Sequence, residues 1–407
     1  MAEIRTRSIP DLWRRTPWWG QALFVFAAAR VVTTVILLVV AAGQPANAWT
    51  GPSPGYADFA SIWDGRWYNI IAESGYPSVL PRTEDGHVGE NAWAFMPVYP
   101  MVVRAVMVLT GMPWAPTAVF VSLACGFASA VVIARLFRLV LPAGTAMFAV
   151  VCYSVSPLAP ILQVAYAESM HLLLLAGALS LVMRRRYWLA LPLIAVASFT
   201  RPSGLAFALF LLLHVLHRWW TRRQNPFPRR EVIAASVTAV ASGVLGLGWL
   251  VTAWAVTGSL TAYTDTELAW RSAYIGYTDL VPFAGWFQGL DWWAVNGLGL
   301  PAGFWWGASG VVLLVAAVVA LLVSPQAKRL GIDLRLWVAS YLLYLWAVFF
   351  PQSSTFRLLV PVFPLAGVLA QPRSLVYRSA IVVLSIAGQI GWILLAWRVD
   401  GYDWTPP

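Results

Sequence analysis

Long apolar runs separated by short polar connections dominate this chain. About 20 apolar residues in helical form cross the hydrocarbon core of a bilayer. In lipid the backbone must satisfy its own polar groups, which selects helices. The pattern predicts eleven spans, over 20–44, 114–136, 145–162, 169–183, 187–200, 203–217, 232–256, 301–323, 336–353, 358–372 and 379–397. The fifth and sixth are short and read equally well as a pair that enters without fully crossing. Two connecting segments are long, about 45–113 and 258–300, and a further apolar stretch over 95–112 lies inside the first of them. The expected fold is all-α: a single polytopic membrane domain (1–407) with no separate soluble unit and no internal repeat.

Composition agrees. Of 407 residues, 60% are apolar and 11% charged, against about a quarter charged in a soluble domain. That excludes an ordinary soluble protein and a disordered one. The net charge of +10 does not mark a nucleic-acid binder, which needs basic residues clustered on a folded polar domain. It marks topology. With the N-terminus cytoplasmic, 19 of the 27 basic residues fall inside, Arg5, Arg7, Arg14 and Arg15 among them, with only Glu3, Asp11, Glu231 and Asp333 for acids. The other 13 acids fall outside with seven arginines, and Arg30 lies within the first span. Lys and Arg collect on the cytoplasmic side of spanning helices. A span over 95–112 would put Arg135 and Arg138 on the wrong side, so that stretch is expected as an interfacial or embedded helix. The N-terminal apolar segment lacks a clear cleavage site and reads as the first span. The expected location is the inner (plasma) membrane, C-terminus outside. Cys125 and Cys152 lie in apolar runs and read as small hydrophobes.

The informative residues then gather on the outer face. Trp63-Asp64-Gly65-Arg66-Trp67-Tyr68, Gly75-Tyr76-Pro77, Glu90 and Phe95-Met96-Pro97-Val98-Tyr99-Pro100 belong to the first long segment. Tyr166-Ala167-Glu168-Ser169, Thr200-Arg201-Pro202-Ser203-Gly204 and Phe356-Arg357-Leu358-Leu359-Val360-Pro361 follow in later connections. A charge near hydrocarbon is costly and is usually paired or functional. Arg201 and Arg357, with Asp64 and Glu168 on the same face, suggest a shared polar cavity. Arginine presents a donor fork suited to phosphate, and an acid beside it can serve as a base. The competing reading of each arginine is a helix-end anchor snorkelling to the interface. By themselves, these residues point to an outward-facing polar site that handles a phosphorylated lipid.

These elements, in this order and over roughly residues 60–365, resemble the PIG-V family, the GPI mannosyltransferase 2 enzymes and their bacterial relatives. Tyr166-x-Glu168-Ser169 is similar to the family's Tyr-Thr-Glu-Ser element. Thr200 to Gly204 is similar to its Thr-Arg-Ser-Asn-Gly element, departing at Pro202-Ser203. Phe356 to Pro361 resembles its late Arg-Tyr-x-x-Pro segment, departing at Phe356 and Leu358. The resemblance implies a GT-C fold and an inverting glycosyltransferase, with a polyprenyl-phosphate sugar as donor, typically mannose. The acceptor, whether glycan, lipid or protein, is left open.

On that resemblance Asp64 is the general base, its competing role being an N-cap. Arg201 and Arg357 are candidates for the donor phosphate. Glu168, Tyr166, Trp63, Tyr99 and Glu90 are candidates for substrate contacts. The competing readings are a buried ion pair for Glu168, packing for the two tyrosines, an interfacial belt for the tryptophan, and a solvated loop for Glu90 and His87. Asp265, Glu267 and Asp279 read as solvated surface ahead of acceptor contacts. Carboxylates are able to bind a divalent ion with phosphate, but the sequence offers no dedicated metal-ligand set, and no cofactor is implied. The alternative from another class is a lipid or glycolipid transporter, for which inverted repeats and midplane polar groups would be expected.

Overall fold

The computed structural model describes residues 13, 15–303, 305–400 and 406. Glu3, Arg5, Arg7, Asp11, Arg14 and Asp403, used above for topology, lie outside the described residues. In chain order the helices are α1 (Trp18–Ala42), α2 (Tyr56–Phe59), α3 (Asp64–Ser74), α4 (Val98–Thr110), α5 (Trp114–Phe137), α6 (Ala143–Val155), α7 (Glu168–Met183), α8 (Tyr187–Ser198) and α9 (Gly204–Trp220). They continue as α10 (Arg229–Thr257), α11 (Ala262–Ile275), α12 (Ala284–Trp292), α13 (Trp305–Val323), α14 (Pro325–Lys328), α15 (Gly331–Val348), α16 (Thr355–Leu358), α17 (Ala366–Leu369) and α18 (Leu375–Ala396). The fold is all-α; among the described residues there is no strand, only an isolated bridge between Arg82 and Val88.

Among the described residues six helices, α1, α5, α10, α13, α15 and α18, are long and apolar enough to cross a membrane. The remaining predicted spans are shorter apolar helices. Helix α8 has 12 residues, which at 1.5 Å per residue is about 18 Å against a core of about 30 Å. The stretch over 95–112 forms α4, whose Tyr99 and Val103 pack with Tyr68 of α3 and with Ala118 and Val121 of α5.

Two predicted spans are not continuous helices. The run 145–162 ends as α-helix at Val155 and resumes as a 3-10 turn over Ala159–Leu162. The run 358–372 is replaced by α16, a 3-10 turn over Val360–Leu365 and α17. The cause is proline, which lacks an N–H and disfavours helical geometry in the residue before it: Pro157 and Pro160 in the first case, Pro361 and Pro364 in the second. The second long segment also carries helices, α11 and α12, which apolar run length did not mark.

Broken helices inside an apolar body leave carbonyls that need donors. Arg30, buried within α1, supplies two: its Nη2 donates to Ser154 O at 2.6 Å and its Nη1 to Ala159 O. Gln389 Nε2 of α18 donates to Val155 O at 2.8 Å, and Thr33 Oγ1 orients that amide at 2.7 Å. Arg30 is therefore a backbone cap for the α6 break. Arg30→Met, similar in reach but without donors, is expected to cost about 1–3 kcal/mol for each carbonyl orphaned. Thermal unfolding in detergent reads this as a lower midpoint; an unchanged midpoint would exclude the capping role.

At the ends of α8, α9, α10 and α15 away from Arg201, a polar staple joins the four helices. His214 Nδ1 meets Asp333 Oδ1 at 2.7 Å, and the Tyr187 hydroxyl bridges His214 Nε2 (2.9 Å) and Glu231 Oε1 (3.1 Å). Arg218 Nη2 donates to the same Glu231 oxygen at 2.9 Å. At the Arg201 end, α9 and α10 touch backbone to backbone. A Cβ on Gly204 would lie 2.6 Å from Gly246 Cα, and Ser242 Oγ donates to Gly204 O at 2.8 Å.

Candidate active site

Four charged side chains from four distant segments meet at one end of the helices. Asp64 is the first residue of α3. It does not act as the N-cap. That position is Trp63, whose side chain makes no capping bond. Trp63 has φ 59° and ψ −122°, a conformation costly for a residue with a side chain and kept only where its surroundings enforce it. Here the indole Nε1–H donates to Ala396 O at 2.9 Å, and the ring packs on Trp49 at 5.1 Å. Trp397 Nε1 donates to Phe59 O at 2.8 Å just upstream. The end of α18 thus clamps the turn that presents Asp64, and the Asp64 N–H donates to the Tyr166 hydroxyl at 3.2 Å.

Glu168 opens α7, where Ser169 Oγ donates to Leu162 O at 2.8 Å and anchors the helix start. Arg201 sits in the turn between α8 and α9, above the Gly204–Gly246 contact. Arg357 lies on α16, whose end is held by Tyr341 OH donating to Leu358 O at 2.8 Å and Trp337 Nε1 donating to Pro361 O at 2.9 Å.

The charges alternate around a ring. Arg357 Nη1 donates to Asp64 Oδ2, and Arg357 Nε lies 3.6 Å from Glu168 Oε1. Arg201 Nη2 is 3.3 Å from Glu168 Oε1, and its Nη1 is 4.0 Å from Asp64 Oδ2. Two acids and two guanidinium groups make the ring neutral. Asp64, Glu168 and Arg357 are buried, and Arg201 is only partly exposed. Burial works against the charge on Arg201, but Glu168, Tyr68 and Asp64 outweigh it and raise its affinity for the proton. Both Glu168 oxygens and Arg357 Nε are buried and make no hydrogen bond of good geometry among the described residues. The ring therefore holds its charges by proximity while leaving hydrogen-bonding capacity unused.

The other candidates stand elsewhere. Tyr166 and Tyr99, expected to line a sugar pocket, are fully buried. Tyr166 instead supports Asp64 and lies 5.3 Å beneath the Arg357 guanidinium. The Tyr99 hydroxyl bonds Ala118 O (3.0 Å) and Ser122 Oγ (2.9 Å), and its ring packs on Tyr68, 5.1 Å away. Tyr68, not singled out from the sequence, reaches Arg201 with its hydroxyl at 3.5 Å. Trp63, likewise buried, serves as the strained hinge described above. Glu90 is exposed on a loop whose next residue, Asn91, donates to Thr266 Oγ1 at 2.9 Å and ties the loop to α11.

Glu267, read from the sequence as solvated surface ahead of an acceptor contact, stands closer to the site than that reading implies. It lies on α11, exposed, yet within the electrostatic reach of Arg201 and Asp64. Its spacing from Tyr263 and Trp270 puts all three on one helix face, a signal hidden by reading the segment as loop. A cavity of about 550 Å³ beside α3, lined by Trp49, Asp58, Arg66, Asn69 and Trp114 among others, borders Gly65 but none of the ring charges. No group of three or more His, Cys, Asp or Glu able to hold a metal ion occurs among the described residues.

No family model matches the chain, and no curated protein matches it in sequence. Solved structures that it is similar to include ArnT from Cupriavidus metallidurans bound to undecaprenyl phosphate, at 16% identity over 84% of this chain and 59% of that one, with a TM-score of 0.47. The Archaeoglobus fulgidus oligosaccharyltransferase tethered to an acceptor peptide containing the NVT sequon is similar at 12% identity, over 94% of this chain and 55% of that one, with a TM-score of 0.43. AglB from the same organism, in complex with an inhibitory peptide and a dolichol-phosphate, is similar at 12% identity, over 92% and 50%, with a TM-score of 0.38. The chain spans between half and three-fifths of the length of these proteins.

Proposed function

We propose that this chain is a membrane glycosyltransferase of GT-C type, related to the PIG-V enzymes. It transfers a sugar, mannose on the resemblance, from a polyprenyl-phosphate donor to an acceptor at the outer face of the membrane. The observation that carries the reading is the ring of Asp64, Glu168, Arg201 and Arg357 at one end of the apolar helices. Lipid-phosphate sugar transfer needs a group for a leaving phosphate and a group for a hydroxyl proton, and the ring offers both.

The step balances as follows. The acceptor oxygen attacks the anomeric carbon and forms the new glycosidic bond. The bond from that carbon to the phosphate oxygen breaks, and its electron pair leaves with the lipid phosphate. The acceptor's proton passes to the Asp64 carboxylate. Attack opposite the leaving group inverts the anomeric centre, with no covalent intermediate. Arg201 and Arg357 take the charge growing on the phosphate through paired donors. In the free protein Arg357 is spent on Asp64, so an arriving phosphate takes over that guanidinium and releases the carboxylate. Donor binding thus precedes and prepares proton acceptance. The charge asymmetry of the loops supports a cytoplasmic N-terminus and a site facing outward.

The test is reconstitution of the purified protein in liposomes with radiolabelled polyprenyl-phosphate mannose and a membrane extract as the acceptor source. Label moving from the lipid to acceptor, with release of polyprenyl phosphate, is the expected outcome. Movement of the intact labelled lipid across the bilayer without transfer would replace this reading with a transporter.

A further inference from the structure

We infer that Glu267, with Tyr263 on the same face of α11, is the acceptor-binding carboxylate of this site and takes the hydroxyl groups of a sugar. The inference rests on the reading of the charged ring as a glycosyl-transfer centre.

Helix α11 is fastened over the first long segment. Asn91 Nδ2 donates to Thr266 Oγ1 at 2.9 Å, and Trp270 packs edge-on against Trp67 at 5.7 Å and Phe95 at 5.9 Å. Its far end is pinned by Arg271, whose Nη2 donates to Thr278 O (3.2 Å) and Asp279 O (2.9 Å). On a helix held this way, with Ala262, Thr266 and Ala269 buried, Glu267 stays exposed while Arg201 and Asp64 act on its carboxyl. Trp270, one turn beyond Glu267, touches Phe95, Phe95 packs on Tyr68 at 5.4 Å, and the Tyr68 hydroxyl meets Arg201 at 3.5 Å, so this face of α11 adjoins the ring.

Charge counting gives Glu267 its role. Arg201 and Arg357 are already matched by Asp64 and Glu168, so Glu267 is a third acid without a cation of its own. Beside a site for an anionic donor a surplus carboxylate repels the ligand, unless it faces the other substrate. A carboxylate accepts hydrogen bonds from adjacent hydroxyls and gives none, and the Tyr263 hydroxyl one turn away bonds to the same carboxyl and orients it. That chemistry recognises a polyhydroxylated acceptor, a glycan or a glycolipid headgroup. Crowding by the surrounding elements raises the Glu267 carboxyl toward neutrality, and Asp64 adds to the rise. Tyr263 and Arg201 oppose it, and Tyr344 of α15 feels its charge in turn.

The probe is octyl α-D-mannopyranoside, used both as surrogate acceptor and as a ligand in equilibrium dialysis. Glu267→Gln is expected to raise the acceptor KM at least ten-fold and weaken binding as much. The donor KM and kcat should stay within two-fold, and Glu267→Asp should fall between. Wild-type affinity should rise from pH 5 to pH 8 as the carboxyl loses its proton, and be flat in Glu267→Gln. Unmoved acceptor KM and binding, a fall in kcat alone, or no wild-type binding of the probe would overturn the inference. If the wild type transfers sugar while Glu267→Gln is unaffected, only this inference falls. If binding depends on Glu267 but nothing is transferred, the acceptor site stands and the transferase reading fails.

Discussion

Asp64→Asn is expected to lower the transfer rate by about 10²- to 10⁴-fold, the usual worth of a positioned general base, while donor affinity holds or increases. Asparagine has nearly the same shape, and the Asp64 backbone N–H still meets the Tyr166 hydroxyl, so the start of α3 should keep its geometry. Two things are lost: the atom that accepts the acceptor's proton, and the anion that occupies Arg357. The second loss frees a guanidinium for phosphate, which separates this variant from one that is merely misfolded. A misfolded variant would lose donor binding with activity. The measurement is single-turnover transfer from radiolabelled polyprenyl-phosphate mannose beside direct donor binding. Wild-type transfer by Asp64→Asn would remove Asp64 as the base.

The second large effect concerns stability. Glu168→Gln and Arg201→Gln should each destabilise the protein by about 3–5 kcal/mol, because each removes the nearest partner of a buried charge and leaves the ring one charge out of balance. The double variant should cost less than the two singles together, with a coupling of about 0.5–3 kcal/mol, since it removes an acid and a cation at once and leaves Arg357 paired with Asp64. Thermal or denaturant unfolding in detergent reads all three. Strict additivity would mean that the 3.3 Å Arg201–Glu168 approach carries no energy.

Much of this was legible in the sequence. Run length locates the apolar helices, and Asp64, Glu168, Arg201 and Arg357 share one face in the sequence pattern. What stayed hidden has local physical causes. A run of apolar residues such as 358–372 does not announce its breaks by hydropathy; only Pro361 and Pro364 do. The positive φ of Trp63 comes from tertiary clamping by Ala396, more than three hundred residues away in the chain, and no local pattern encodes it. Tyr99 and Tyr166 looked like pocket residues because they lie in motifs, yet a motif also contains residues that hold the reactive ones still. Glu267 ranks low in the sequence for the opposite reason. It lies in a polar segment, where an acid on a folded helix looks like one on a solvated loop.

The contact between Gly204 and Gly246 has a mechanical consequence. Two backbones that meet without an intervening side chain have no rotamer to give, so α9 and α10 form one wall, and the turn carrying Arg201 leads into it. Arg357 is mounted differently, on a single helical turn that runs into a 3-10 stretch interrupted by Pro361 and Pro364. Of the two guanidinium groups, one stands on a backbone-to-backbone contact and the other on a strip held by the Tyr341 and Trp337 side chains. On the proposed function, a lipid headgroup arriving between them would displace the strip held by side chains before the wall held by backbone.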